Sequence, residues 1–184
     1  IDGLADLGAE LSRALGRPVN DLWSMQNGYA LATRAGLHMI TSYLREIGVT
    51  ERSELAGRLQ IGLHQDVEVT DGPTSPGQLV NQIFCSALPV AYGRWPQPLW
   101  RDFAQLVLDA AYEATLLAGV LNSRQGGSNI VLLTMLGGGA FGNAREWIHT
   151  AIQRALSKTH GHGLDVRLVS YGQPSAQLQA LVDF

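Results

Sequence analysis

Residues 129–157 constrain the fold more than any other part of this chain, because one short stretch makes three demands on the backbone. Ile130, Val131, Leu132, Leu133, Thr134, Met135 and Leu136 form an almost continuous apolar run, the pattern of a strand covered on both faces. Trp147, Ile148, Ala151, Ile152, Ala155 and Leu156 then recur at helical spacing. Between them lie Gly137, Gly138, Gly139, Ala140, Phe141, Gly142 and Asn143. Glycines let the backbone take positive φ and approach a ligand closely. A helix that starts at such a loop presents unpaired N–H groups and the positive end of its dipole. Asn143 with Glu146 three residues later reads as an N-cap pair. The predicted unit is strand, glycine loop and helix, with the loop shaped for an anion, above all a diphosphate. The bland alternative is a turn that only packs helix against sheet, but three consecutive glycines plus Gly142 exceed what such a turn requires.

Gly137, Gly139 and Gly142 also fit Gly-x-Gly-x-x-Gly, a pattern that is weak on its own. A dinucleotide-binding Rossmann unit needs an acidic residue at the end of the next strand to hold a ribose. The next predicted strand, 164–170, carries Asp165 at its beginning and ends in Ser170-Tyr171-Gly172. The unit is moreover the last of the chain rather than the first. The diphosphate is therefore retained and the dinucleotide oxidoreductase set aside.

At 184 residues, 46% hydrophobic and 16% charged, the chain is long and apolar enough for one globular domain with a sizeable core. A net charge of −3 gives no electrostatic reason to expect nucleic acid. The single cysteine, Cys85, excludes an internal disulfide. No apolar run in the sequence reaches membrane-spanning length and no signal peptide is visible, so the expected setting is soluble and cytoplasmic, without a membrane partner. With Ile1 rather than Met at its start, the chain is expected to be a trimmed piece from which native targeting signals are missing.

Read in order, residues 4–15 form an apolar helix face that stops at Gly16, residues 22–47 read as a helix bent at a glycine, and Thr50 caps a short helix. No strand is expected in the first sixty residues. Trp23, Gln26, Asn27 and Tyr29 crowd aromatic and amide groups into this region. They suit an adenine or a substrate side chain, although an amphipathic helix with Trp23 and Tyr29 in the core is the favoured reading. Ser75-Pro76-Gly77-Gln78 reads as a capping box before a helix that runs to about Ala87. A long helix carrying Leu99, Phe103, Leu106, Ala110, Ala114 and Leu117 follows, closed by Gly126-Gly127, and a last short helix follows Pro174.

Residues 60–71 alternate. Ile61, Leu63, Val67 and Val69 fall on one strand face, and His64, Asp66, Glu68 and Thr70 on the other. Same-face neighbours sit roughly 7 Å apart, so Asp66 and Glu68 can serve one site, with Asp71 just beyond. Paired carboxylates are what glycosidic-bond hydrolysis needs: one protonates the leaving group, and the other orients water or steadies the cationic sugar. An exposed edge strand whose charges deter aggregation explains the same pattern equally well. His64 has no second His or Cys at ligand spacing, so no metal site is expected.

The alternation of helix and strand in the C-terminal half predicts a three-layer α/β domain with the glycine loop at a strand's C-terminal end. A helical region, 1–59, is expected to pack on an α/β core, 60–184.

Residues 131–142, the amphipathic helix after them and Val166-Arg167-Leu168-Val169-Ser170-Tyr171-Gly172 resemble the macrodomain superfamily, in particular its poly(ADP-ribose) glycohydrolase branch. That branch carries Gly-x-Gly-Ala-Phe-Gly before a helix and a closing strand. The phrases His64-Gln65-Asp66-Val67-Glu68-Val69-Thr70-Asp71 and Cys85-Ser86-Ala87-Leu88-Pro89-Val90-Ala91-Tyr92 are similar to a narrower group of ADP-ribosylarginine hydrolases. The resemblance implies a macrodomain-like mixed sheet flanked by helices, and ADP-ribose or an ADP-ribosylated protein as partner, with no cofactor. It implies that Gly137, Gly138, Gly139, Ala140, Phe141, Gly142 and Asn143 surround the diphosphate and distal ribose, with Phe141 packed on that ribose. It implies Tyr171 near the adenine, and Asp66, Glu68 and Asp71 as the acidic catalytic loop. The chain departs from the branch in lacking Gly-Gly-Gly followed by Gln-Glu-Glu, and the usual Asn-Ala-Asn is absent too. A mono-ADP-ribosyl substrate is therefore preferred to the polymer. The expected function is hydrolytic removal of ADP-ribose from a modified side chain, arginine first. The alternatives are an ADP-ribose-binding module without turnover and an unrelated nucleotide-binding α/β protein.

Overall fold

Glycine and asparagine placement decides the N-terminal third. The computed structural model describes residues 2–72, 76–170, 172–174 and 176–181. Helix α1 (Ala5–Leu15) buries Leu7 and Leu11 and ends at Gly16, whose φ of 61° no β-carbon opposes. A single turn of helix, α2 (Val19–Leu22), leads into strands β1 (Trp23–Gln26) and β2 (Tyr29–Ala32). These pair antiparallel, with Gln26 opposite Tyr29 and Trp23 opposite Ala32. Asn27 and Gly28 make the turn with φ of 50° and 82°, the left-handed pair that a two-residue hairpin requires. This corrects the expectation of a continuous helix over 22–47 and of no strand before residue 60. Only its second half is helical, as α3 (Arg34–Glu46), capped by the Thr33 hydroxyl accepting from the Gly36 N–H at 2.8 Å. Helix α4 (Val49–Ala56) starts from Gly48, so Thr50 is not its cap.

Strands β3 (Gly62–Glu68) and β4 (Leu79–Phe84) form an antiparallel pair. The capping-box helix expected after residue 75 is thus absent, with Ser75 itself outside the described residues, and Asn81 and Gln82 lie on a strand. Val80, Ile83 and Phe84 have helical spacing, but Val80 and Ile83 find their partners across the sheet in Val67 and Leu63. A 3-10 turn, Val90–Tyr92, precedes the central helix α5 (Gln97–Arg124).

At 28 residues α5 is long and apolar enough, by length and composition, to cross a membrane, and 61% of its most apolar 18-residue stretch is buried in the protein. The sequence reading had found no such run. Trp100, Phe103, Leu108 and Leu116 are completely buried, as expected of a core helix. Strand β5 (Ile130–Leu133), helix α6 (Arg145–Thr159) and strand β6 (Asp165–Leu168) make the predicted crossover, β5 and β6 pairing in parallel. Helix α7 (Ala176–Gln179) follows.

The fold is mixed α/β, with three two-stranded sheets among the described residues. One hydrophobic cluster runs from Leu7 and Leu22 through Phe103 and Leu108 to Ile148 and Ile152, so residues 1–59 and the remainder share a core. Helices α5 and α6 are also pinned by charge. Glu113 accepts from Arg154 Nη1 at 2.7 Å and from Lys158 Nζ at 2.7 Å.

Candidate functional site

The loop after β5 is held by its own backbone and by a buried phenol. Tyr112 on α5 donates its hydroxyl to the Thr134 carbonyl at 2.7 Å and accepts the Leu136 N–H at 2.9 Å. Burial pushes this phenol's pKa far up, so it stays protonated and able to donate. Within the loop the Gly138 N–H reaches Met135, the Gly142 N–H reaches Gly139 and the Asn143 N–H reaches Gly137, each at 3.0 Å. The Phe141 carbonyl accepts from the Ala91 N–H at 2.9 Å, and the Gly142 carbonyl from Gln97 Nε2 at 2.9 Å.

The glycines divide into two kinds. Gly137 and Gly142 have φ of 72° and 69°. A β-carbon on Gly137 would collide with the Ala87 side chain and lie 2.7 Å from Asn143 Nδ2. One on Gly142 would lie 2.8 Å from the Ala91 side chain. Both glycines are required by packing. Gly139 is different: its φ is outside the left-handed range, and no described residue occupies the space where a side chain would project. The structure thus separates Gly139 from Gly137 and Gly142, and corrects the expectation of positive φ at Gly139. The N–H groups of Gly139, Ala140 and Phe141 meet no protein acceptor among the described residues. The loop therefore offers successive unpaired donors around an open space at the end of a parallel strand, which is what an anion cradle needs.

Asn143 does not cap α6; Ala144 occupies that position, without a side-chain cap bond. Asn143 is 4% exposed, and its Nδ2 donates to the Leu88 carbonyl at 2.9 Å and to the Gly137 carbonyl at 3.3 Å. Its Oδ1 is buried without a partner among the described residues. The side chain expected to contact ligand is instead the clamp that ties the loop to the segment after β4. Drawn inward, the amide satisfies the Leu88 carbonyl and adds a second donor to the Gly137 carbonyl, which already accepts the Asn143 N–H.

Phe141 leans out of the loop into a cluster of three rings. Its centroid lies 5.7 Å from that of Tyr29 and 5.4 Å from that of Tyr92, while Tyr29 and Tyr92 are 5.2 Å apart, all edge-to-face. Tyr29 and Tyr92 remain 38% and 46% exposed. Tyr29 also lines a cavity of about 770 Å3, walled by the hairpin tip, the start of β3, the residues just after β4 and residues 2–4. Its floor is mostly apolar, and its polar groups include Gln60, His64 and Ser86. Cys85 also lines it, and burial raises that thiol's pKa, so it is no ready nucleophile. Tyr29, expected in a core helix, stands instead at the start of β2, and Tyr92 ends the 3-10 turn. The Asn27-Gly28 dipeptide, a strong hairpin signal, would have placed Tyr29 at an exposed strand end.

The acidic strand departs from its expected alternation. Gln65 and Asp66 together oppose Asn81, a β-bulge in which Asp66 takes φ of 54°. Its N–H donates to Asn81 Oδ1 at 2.9 Å. The extra residue switches face parity, so Leu63 and Val67 lie on opposite faces, not the same one. The same switch removes the argument that placed Asp66 and Glu68 together by strict alternation. Glu68 Oε1 accepts the Gly77 N–H at 2.9 Å, and Asp71 stands exposed in the turn that follows. None of Asp66, Glu68 and Asp71 lines the cavity, whereas His64 does. Among the described residues no group of three His, Cys, Asp or Glu side chains is placed to hold a metal ion. Tyr171, expected near an adenine, lies outside the described residues.

No family model, curated protein or solved structure matches the chain.

Proposed function

We propose that this chain is an ADP-ribose-binding hydrolase of the macrodomain type, with the three-layer arrangement of that superfamily, removing mono-ADP-ribose from a modified side chain, arginine first. The observation that carries the reading is the loop at Gly139. Three consecutive residues, beside the open position at Gly139, present N–H groups that meet no protein acceptor among the described residues, between the end of a parallel strand and the start of a fifteen-residue helix. Unpaired donors and the helix dipole together favour a dianionic diphosphate over a neutral ligand. Phe141 emerges from the same loop, where it can pack against a sugar.

In this reading the diphosphate anchors the ligand and the strand bearing Asp66 and Glu68 faces the ribose C1″ atom. Cleavage of the glycosidic bond develops positive charge on the sugar. One carboxylate stabilises that charge, while a second carboxyl protonates the departing group or orients the attacking water. Asp71 is the reserve acid at the strand's end. The products are free ADP-ribose and the unmodified side chain.

One observation favours a second reading, a binding module without turnover: Glu68 is engaged by the Gly77 N–H, and the bulge at Asp66 breaks the alternation that would pair the two acids. The deciding experiment is incubation with a protein ADP-ribosylated on arginine, following free ADP-ribose by chromatography. Release at a rate dependent on chain concentration supports the hydrolase. Tight ADP-ribose binding with no release selects the module, and no binding of ADP-ribose at all rejects both.

A further inference from the structure

The cavity and the glycine loop are separate in sequence, yet one residue belongs to both surroundings. Tyr29 lines the cavity, and its ring packs edge-to-face on Phe141 of the loop at 5.7 Å. A second link runs through the backbone, since Leu88 lines the cavity and its carbonyl is held by Asn143, the residue that follows Gly142. The loop offers unpaired N–H donors, suited to charge. The cavity offers mainly apolar walls, exposed aromatic edges from Tyr29 and Phe84, and a few hydrogen-bonding groups such as Gln60 and Ser86. A flat heterocycle is the chemical class that uses both an apolar slot and a small number of polar contacts at its rim.

We propose that the cavity is the receptor for the heterocyclic end, a purine by preference, of the ligand whose diphosphate sits on the glycine loop, with Tyr29 as the residue that bridges the two. This rests on the diphosphate reading of the loop. It assigns the base to the N-terminal hairpin and the β3–β4 pair, not to the end of the last strand. It also gives a role to the Asn27-Gly28 turn, which sets Tyr29 at the hairpin's exposed end through φ of 50° and 82°.

The test compares inorganic pyrophosphate, which reports on the loop alone, with ADP, which adds the base, by titration of the folded chain. Two variants act from opposite sides of the cavity. Tyr29→Ala removes the bridging ring, and Ser86→Trp fills the cavity from an exposed position, with thermal melting confirming that each variant folds. The wild-type chain should bind ADP about tenfold or more tightly than pyrophosphate. Each variant should lose most of that difference, and Ser86→Trp, which leaves the ring cluster at Phe141 intact, should also hold pyrophosphate within about twofold of wild type. Pyrophosphate binding with no added affinity for ADP overturns the cavity assignment and leaves the loop reading standing. So does a wild-type preference for ADP that both folded variants retain. Failure of the wild-type chain to bind either ligand overturns the loop reading and the cavity assignment with it.

Discussion

Replacing Gly137 and replacing Gly139 should do opposite things, although the two are separated by one residue. In Gly137→Ala the new β-carbon meets two penalties. The backbone sits at φ of 72°, where a β-carbon costs about 1–2 kcal/mol. The same atom lands on the Ala87 side chain and 2.7 Å from Asn143 Nδ2, an overpacking of the kind that costs about 1–3 kcal/mol. Reduced freedom of the unfolded chain returns about 0.4–1 kcal/mol. The net loss is about 2–4 kcal/mol, or a fall in melting temperature of roughly 5–15 °C for a chain of this size. Gly139→Val meets neither penalty, because among the described residues nothing lies within 4 Å of its β-carbon position and its φ is not left-handed. Its stability should stay within about 1 kcal/mol of wild type, while ADP-ribose affinity falls by about a hundredfold or more as the side chain fills the anion's space. Urea denaturation with parallel calorimetry of ADP-ribose binding measures both quantities. A Gly137→Ala chain as stable as wild type, or a folded Gly139→Val chain that binds ADP-ribose normally, would refute the division of the loop into packing and ligand-facing glycines.

Asp66→Ala and Glu68→Ala should each keep ADP-ribose affinity and lose most single-turnover hydrolysis, since carboxylates act on charge that develops only in the transition state; normal turnover in both variants would leave these acids as solvated edge-strand charges. Tyr112→Phe should cost about 1–3 kcal/mol in denaturant titration, because the Thr134 carbonyl and Leu136 N–H lose a buried partner together, and an unchanged midpoint would show the loop is held elsewhere. Burial alone would raise the Glu113 carboxyl's pKa, but hydrogen bonds from Lys158 and Arg154 outweigh it and hold the value below the ordinary 4.5. A depressed acid stabilises the fold above its unfolded pKa and loses that contribution as pH falls through the folded value. Glu113→Gln should therefore cost about 1–2 kcal/mol near neutral pH, with the gap to wild type closing below pH 4.5; a gap that widens in acid would contradict the sign.

The strand, glycine loop and helix were legible because each is a local pattern. An apolar run, consecutive glycines and a 3.6-residue stripe need no distant partner to declare themselves. The hairpin was equally local, and Asn27-Gly28 announced it, but the apolar residues on either side match a helical period as well. Strand β4 was misread for a different reason. Val80, Ile83 and Phe84 satisfy helical spacing, and only the antiparallel pairing of Val80 with Val67 and Ile83 with Leu63 settles the choice. The bulge at Asp66 had no local sign at all. Its left-handed backbone is held by Asn81, fifteen residues away, which in turn donates to Asn122 Oδ1 at 2.9 Å at the far end of α5. Asn143 carried the right composition for a cap, yet the deep turn at Gly137 drew its amide inward toward two carbonyls. The cavity, built from four separated segments, was beyond any reading of spacing.

The central claim is that the N–H groups of Gly139, Ala140 and Phe141 hold a diphosphate. Its most direct test is amide-resolved NMR titration of the folded chain with ADP-ribose and, separately, with AMP. The account predicts that ADP-ribose binds more tightly than AMP and shifts the amide resonances of these three residues most strongly. Equal affinities for the two ligands, or ADP-ribose binding that leaves those three amides unmoved, would contradict it.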